Sequence, residues 1–134
     1  MIAVDTSVVV AGFASWHEGH ASAASVLARK PRLPAHVLIE SYSVLTRLPA
    51  PHRAAAGIVE GFLAERFPAA LLILPAQAFR TLLGAAAASN MTGGAIYDAL
   101  IAATAKHAGA VLLTRDRRAL PTYDTIGVRY DLIV

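Results

Sequence analysis

The chain has 134 residues, which is enough for one domain with a sizeable core and no need of disulfides or metal staples. Hydrophobic residues make up 56% and charged residues 16%, yet no run of about 18 apolar residues occurs and no signal-peptide pattern opens the chain, so a membrane span is excluded. Without cysteine and with a net charge of +3, the chain cannot use thiolate chemistry, and we expect a cytoplasmic protein with a mild preference for polyanions such as nucleic acid.

The first predicted element is a short buried strand over residues 1–5, followed at once by Thr6 and Ser7, residue types that suit a helix cap. Alternating helical and strand patterns follow. Helices are predicted at 18–30, 36–48, 52–66, 76–89 and 95–109, strands at 32–34, 71–74 and 110–114, a short turn or helix at 115–120, and an edge strand with a tail at 125–134. This alternation predicts an α/β class, a three-layer α/β/α domain spanning 1–134 around a mainly parallel sheet of four to five strands.

Two acids are expected just beyond the carboxyl ends of strands, where open α/β sheets bind their ligands. Asp5 ends the first strand, and Asp116 lies two residues past the strand that ends at Thr114. Taken singly, an acid at a strand end is usually a turn former or a helix cap. The pattern therefore leaves both interpretations open for each of them.

Two further acids lie on predicted helices, on the apolar side. Glu40 shares a stripe with Val37 and Val44, while Asp98 shares one with Ile101 and falls in the first turn of its helix, where the helix dipole favours an anion. An acid at the edge of an apolar face has an ordinary structural interpretation about as often as a functional one. Buried acids, however, are almost always paired, protonated or bound to metal.

Together the four acids predict a cation site. If they meet, their repulsion costs several kcal/mol, on the order of Coulomb's law at an effective dielectric near 20, unless protons, basic groups or divalent cations offset it. An all-oxygen site without His or Cys suits Mg²⁺ or Mn²⁺ rather than zinc, and such ions support in-line displacement at phosphates. We expect Asp5 and Asp98 to be direct ligands, with Glu40 and Asp116 acting through waters or orienting the attacking water.

Four blocks resemble the PIN-domain ribonucleases, and within them the toxin halves of VapBC toxin–antitoxin pairs. They are VDTSVVVA at the start, LIESYSVLTRL around Glu40, YDALIAATAKHAGAVLLTRD at 97–116, and the closing GVRY. The resemblance covers the whole chain and implies a PIN-like fold whose acidic quartet falls on Asp5, Glu40, Asp98 and Asp116. It also implies that Thr6 and Thr114 support the acids, that the substrate is single-stranded or looped RNA, and that the partners are a VapB-like antitoxin and a second copy in a homodimer.

Other residues carry weaker indications. Arg115, Arg117 and Arg118 flank Asp116 and are candidates for holding RNA phosphates, although solvated loop charges are as good an explanation. Trp16 and Tyr97 are candidates for stacking on a base, although core packing is favoured for Tyr97. The segment WHEGH at 16–20 lacks the HExxH spacing of a zinc protease, which favours a structural role.

Two alternatives to a ribonuclease toxin stay open from sequence. One is a non-catalytic RNA-binding or regulatory protein that retains the acids. The other, less favoured, is a haloacid-dehalogenase-like phosphotransferase, which needs a second aspartate two residues after the first, where this chain has Ser7.

Overall fold

A computed structural model describes all residues from Met1 to Val134. Its elements are β1 (Ile2–Val4), α1 (Thr6–Phe13), α2 (His20–Ala28), α3 (Ala35–Thr46), α4 (Ala56–Arg66), α5 (Ala76–Ala88), α6 (Ala95–His107), β2 (Val111–Thr114), a 3-10 turn (Arg117–Ala119), α7 (Leu120–Ile126) and β3 (Tyr130–Leu132). No helix is long and apolar enough to cross a membrane.

The sheet is parallel throughout and has the order β1-β2-β3. Its register pairs Ala3 with Leu112 and Leu113 with Asp131. Strands β1 and β2 consist almost entirely of apolar residues, as expected for strands whose two faces are both covered by helices. The largest core cluster joins these strands to α1, α3 and α6, with Val4, Val37 and Leu112 fully buried.

The prediction of four to five strands is wrong in detail, since three strands are formed. The predicted strands at 32–34 and 71–74 form only isolated bridges, one between Arg32 and Ala3 and one between Leu72 and Pro34. Proline explains the short pairing: Pro31 and Pro34 have no N–H to donate, and Pro75 starts the next helix soon after Leu72. The parallel α/β arrangement itself is as predicted.

The two ends of the chain depart from the predicted pattern in a further way. Helix α1 begins at Thr6 and its N-cap is Asp5, not Thr6 or Ser7. Near the carboxyl terminus, α7 runs through Ile126 and stops at Gly127, whose φ of 84° is left-handed, so β3 begins only at Tyr130. Tyr123 lies on α7, and its side chain is buried in the core with 1% of its surface exposed.

Candidate active site

The carboxyl edge of the sheet collects the four acids predicted from the sequence. Asp5 follows β1 directly, and Asp116 lies just beyond β2. Helix α3 follows the 32–34 segment, which pairs in parallel with β1 and so ends at this edge. Helix α6 also begins here, since the charges of Asp5 and Asp116 act on Asp98 in its first turn. Glu40 and Asp98 are therefore carried to the edge where the other two acids already lie.

Asp98 lies where the charges of the other three acids act on it. The pKa of Asp98 is raised from 3.8 to about 6, first by burial and then by the charges of Asp116, Glu40 and Asp5. Of the nearby cations, Arg118 lowers the pKa of Asp98. A carboxylate group surrounded in this way gains from a bound cation, which would remove the repulsion that raises its pKa.

Asp5 is 3% exposed and caps α1 with one of its two oxygens. Its Oδ1 accepts hydrogen bonds from the backbone N–H of Ser7 at 3.1 Å and of Val8 at 3.4 Å, and from the Ser7 hydroxyl at 2.5 Å. These are the donors left free by the first turn of a helix. The structural interpretation of Asp5 as a helix cap is thus correct, and it accounts for only half of the carboxylate.

The other oxygen of Asp5 joins β2 and α7 to the site. Oδ2 accepts hydrogen bonds from the Thr114 hydroxyl and, at 2.8 Å, from the Tyr123 hydroxyl. Burial and the Asp5 carboxylate raise the pKa of Tyr123, so the phenol stays protonated and remains a donor. Thr114 is therefore in direct contact with the carboxylate of Asp5.

Two hydroxyls have their direction fixed by backbone groups. The Ser7 hydroxyl accepts from the N–H of Arg115 at 2.8 Å, and the Thr114 hydroxyl accepts from the N–H of Asp116 at 3.0 Å. Each hydroxyl has one proton, which is thereby directed to Asp5. Burial raises the pKa of Asp5, but these donors oppose the rise, and a carboxyl that only accepts is an ionised one.

Glu40 is held by groups on α1 and on its own helix. The Thr6 hydroxyl donates to Oε1, and His36 Nε2 lies 3.5 Å from Oε2. Both Glu40 and His36 are partly exposed. Glu40 is consequently positioned at the surface of the site, where it can contact a solvent molecule.

Asp116 caps the 3-10 turn that follows β2. Its Oδ1 accepts from the Arg118 N–H at 3.0 Å and lies 3.6 Å from Arg118 Nε. The Arg118 side chain is 95% exposed, so this ion pair is solvated and weak. The ordinary cap interpretation holds for Asp116 as it does for Asp5, while the charge of Asp116 still acts on Asp98.

The donor set fits Mg²⁺ or Mn²⁺, although no three acidic or imidazole side chains are already arranged to hold one ion. Mg²⁺ usually keeps several waters and binds proteins through one or two carboxylates. Asp98 suits direct ligation, since burial and neighbouring charges act on it and no hydrogen bond offsets them. Asp5 already accepts five hydrogen bonds, so it is less free to ligate a metal ion than its place at a strand end predicts.

The predicted RNA-contacting residues fall into two groups. Arg117 and Arg118 are exposed beside Asp116, whereas the guanidinium of Arg115 packs against the backbone of Gly19 and its Nε is buried without a partner. Trp16 is 51% exposed and stacks on His52 at 3.9 Å between ring centroids. Arg115 and Trp16 thus have structural contacts that explain their positions.

The WHEGH segment has structural contacts, as predicted. His17 Nδ1 accepts from the Gly19 N–H at 2.9 Å, and His20 Nδ1 lies 2.9 Å from the Ala11 carbonyl oxygen. Each imidazole therefore forms a hydrogen bond within the protein, His17 in the loop and His20 at the start of α2.

Three residues at the site were missed from sequence. Ser7 could have been found, because its hydroxyl sits two residues after Asp5 in the DTS run. Tyr123 gave no signal, since its 118-residue separation from Asp5 is closed only by the fold. His36 precedes Glu40 by one helical turn, and that spacing was a usable signal.

Comparison with known proteins identifies the fold and its relatives. The model of the PIN domain family matches residues 2–124. Ribonuclease VapC40 of Mycobacterium tuberculosis, from two strains, is 53% identical over 133 residues, which is 99% of each chain. Ribonuclease VapC27 of the same species is 44% identical over 128 residues, covering 95% of this chain and 93% of the relative.

Solved structures with low sequence identity share the architecture. FitAB bound to an IR36 DNA fragment superposes with a TM-score of 0.72 at 19% identity, over 98% of this chain and 94% of that one. FitAcB from Neisseria gonorrhoeae gives a TM-score of 0.69 at 19% identity, over 97% and 96%. At this identity the similarity extends to the fold alone.

Proposed function

The chain belongs to the PIN-domain family and to its VapC-type toxins, and from this membership we propose that it is a divalent-metal-dependent endoribonuclease. The observation that carries the proposal is the meeting of four carboxylates at the carboxyl edge of the sheet, where three of them raise the pKa of Asp98. The names of the relatives, both ribonucleases, support RNA as the substrate.

The catalytic and metal-binding residues of the proposal are Asp5, Glu40, Asp98 and Asp116. Asp98 offers the freest carboxylate, and Asp5 anchors the negative charge of the site through its buried network. Bound Mg²⁺ or Mn²⁺ would supply positive charge for the phosphate and lower the pKa of a water. Glu40, held by Thr6 and still partly exposed, is placed to orient the attacking water through Oε2.

Basic side chains at the edge of the site would hold the RNA backbone. Arg117 and Arg118 are exposed directly after Asp116, and arginine binds phosphate oxygens with two parallel hydrogen bonds. Arg115 contributes its backbone N–H to Ser7, so we assign it a supporting role first.

The test is cleavage of single-stranded and looped RNA by purified protein with Mg²⁺, with Mn²⁺ and with a chelator. Asp98→Asn should lower the single-turnover rate at least about 100-fold, a loss typical of removing charge stabilisation from a transition state. Asp131→Asn removes an equal charge from the exposed strand β3 and serves as the control. Equal cleavage by Asp98→Asn and the wild type would refute the assignment. Tight RNA binding without metal-stimulated cleavage would favour the non-catalytic alternative.

The same membership leads us to propose a VapB-like antitoxin as inhibitor, a homodimer, and a cytoplasmic location. An open groove of about 400 Å³ between α3 and α4 supports the antitoxin, because it is lined by apolar side chains that include exposed Ile39 and Tyr42. Its position beside Glu40 on α3 would let a bound apolar segment reach the site. Coexpression with a VapB-like antitoxin should give a complex without RNA-cleaving activity. An active complex would exclude inhibition at this site.

A further inference from the structure

Two aromatic rings lie stacked beside the acidic site. The imidazole of His36, in the first turn of α3, and the phenol ring of Tyr97, in the first turn of α6, have centroids 5.3 Å apart and planes 4° from parallel. The two helices that supply Glu40 and Asp98 therefore also supply a flat aromatic pair. We define this pair, His36 and Tyr97, as the aromatic platform.

The platform is joined directly to the acids. His36 Nε2 is 3.5 Å from Glu40 Oε2, and Tyr97 is the residue before Asp98. A ligand on the platform would thus lie next to the Glu40 carboxylate, and Tyr97 ties the platform to the helix that carries Asp98.

Tyr97 is 52% exposed, which contradicts the core packing expected from sequence. His36 covers one side of its ring, while the remainder borders an open groove of about 290 Å³ between α5 and α6. Phe79 and Leu83 line this groove with Arg80 as its one charged side chain. An exposed aromatic surface that continues from a polar site is typical of a ligand contact.

RNA binding at this site has an electrostatic difficulty that the platform can solve. The four carboxylates repel the phosphates of the substrate until a cation is bound, so contacts without charge would add affinity that does not depend on the cation. Stacking of a base on an aromatic ring is such a contact, and it tolerates any base because every base has a π-face. Arg80 lies in the adjacent groove, within the same surface, to attract a neighbouring phosphate.

We propose that the aromatic platform binds one unpaired nucleobase of the RNA substrate by stacking, next to the phosphate that is cleaved. The proposal rests on the proposed ribonuclease function and adds a substrate subsite to it. A base is favoured over a protein side chain because the platform is flat, parallel and continuous with the carboxylates.

The experiment measures stacking without cleavage. In the Asp98→Asn background, short polyuridine RNA carrying one 2-aminopurine is titrated with protein, and its fluorescence reports stacking on an aromatic ring. Tyr97→Ala should weaken binding by roughly 5- to 150-fold and abolish the quenching, whereas Tyr97→Phe should retain both. Ile58→Ala removes an exposed apolar side chain from α4, which has no proposed role at the site, and is the matched control.

The outcomes separate the subsite from the function. Quenching and affinity unchanged by Tyr97→Ala would overturn the platform, even if the wild type cleaves RNA with metal. If Tyr97→Ala changes the sedimentation of the protein but not its RNA affinity, the surface binds a second copy and the proposal is wrong. In the wild-type background, Tyr97→Ala should raise KM for RNA far more than it lowers kcat. The ribonuclease function is judged separately, by the metal-dependent cleavage assay on Asp98→Asn.

Discussion

At the scale of single residues, Asp5 combines two roles that are usually treated as alternatives. One oxygen satisfies the free N–H groups at the start of α1, and the other accepts from Thr114 and Tyr123. Such a buried carboxylate is stable only because every lone pair has a donor. The network keeps a negative charge in the core beneath the more exposed Asp98.

Removing one hydrogen-bond donor from this network should lower the stability of the protein by a measurable amount. We predict that Tyr123→Phe lowers the free energy of unfolding by about 1.5–3 kcal/mol, the usual value of a buried hydrogen bond to a charged group. Urea denaturation at neutral pH provides the measurement. Tyr130→Phe is the control, since its hydroxyl donates to Asp124 at the surface and its loss should have little effect. Equal small changes in both variants would mean that Tyr123 does not stabilise the Asp5 charge.

The raised pKa of Asp98 predicts how the free energy of unfolding depends on pH in the absence of metal. Its folded pKa of about 6 lies above its usual 3.8, so between these values the folded chain binds more protons than the unfolded one. Stability should therefore fall as pH rises through this window and stay reduced above it. Because Asp98 is partly exposed and screened, we expect a loss on the order of 1 kcal/mol.

The comparison of variants isolates this effect. In a chelator, Asp98→Asn should be more stable than the wild type at pH 7 and should lack the decline between pH 4 and 6, whereas Asp131→Asn should follow the wild type. The measurement is the urea denaturation midpoint of each of the three proteins at a series of pH values. A decline that persists in Asp98→Asn would assign the pH dependence to another acid.

At the scale of elements, helix starts and stops determine which side chains reach the site. Helix α1 contains Val8, Val9 and Val10, which favour strands, yet it forms because Asp5 caps it and Val8 and Val9 are completely buried. Helix α7 ends at Gly127 in a left-handed conformation, and the N–H of Gly127 donates to the carbonyl of Tyr123, four residues earlier.

We predict that Gly127→Ala costs about 1–2 kcal/mol of stability, because a φ of 84° strains any residue with a Cβ. Crowding adds to the strain, since the added carbon would lie 3.3 Å from Lys106 Nζ. Gly61→Ala is a useful contrast: it lies within α4 with open space around it and should stabilise by about 0.5–1 kcal/mol. Thermal denaturation of both variants tests the pair, and a neutral Gly127→Ala would show that α7 can end without a left-handed residue.

At the scale of the whole molecule, the parallel sheet explains why acids distant in sequence meet. Parallel strands place all their carboxyl ends at one edge, and the helices α3 and α6 begin at that same edge. The net charge of +3 offsets this negative region with basic residues elsewhere on the chain. A net positive charge favours polyanionic partners in general, while the site itself stays locally acidic.

Metal should stabilise the entire fold if the acidic site binds it. At a free concentration of about 100 times its Kd, an ion that binds only the folded state adds about 2.7 kcal/mol. We predict that Mn²⁺ or Mg²⁺ raises the Tm of the wild type, that a chelator reverses the rise, and that Asp98→Asn shows a much smaller one. Identical shifts in both proteins would place the bound ion elsewhere.

The sequence by itself determined the α/β class, most helices and the four acids, because hydrophobic periodicity and spacing along the chain are local properties. Asp98 in the first turn of α6 and Asp116 after β2 follow from counting residues between elements. The resemblance to PIN-domain toxins, confirmed by the comparisons, added the ribonuclease family.

Only the tertiary structure decided what surrounds those acids. The Tyr123 hydroxyl on Asp5, the His36 and Tyr97 stack, and the reduction of two predicted strands to single bridges all join segments far apart in sequence. Their geometry depends on how helices and strands pack, which local pattern does not encode. The physical reason is that hydrogen bonds and ring stacking act over a few ångströms, and only the folded chain sets distances of that size.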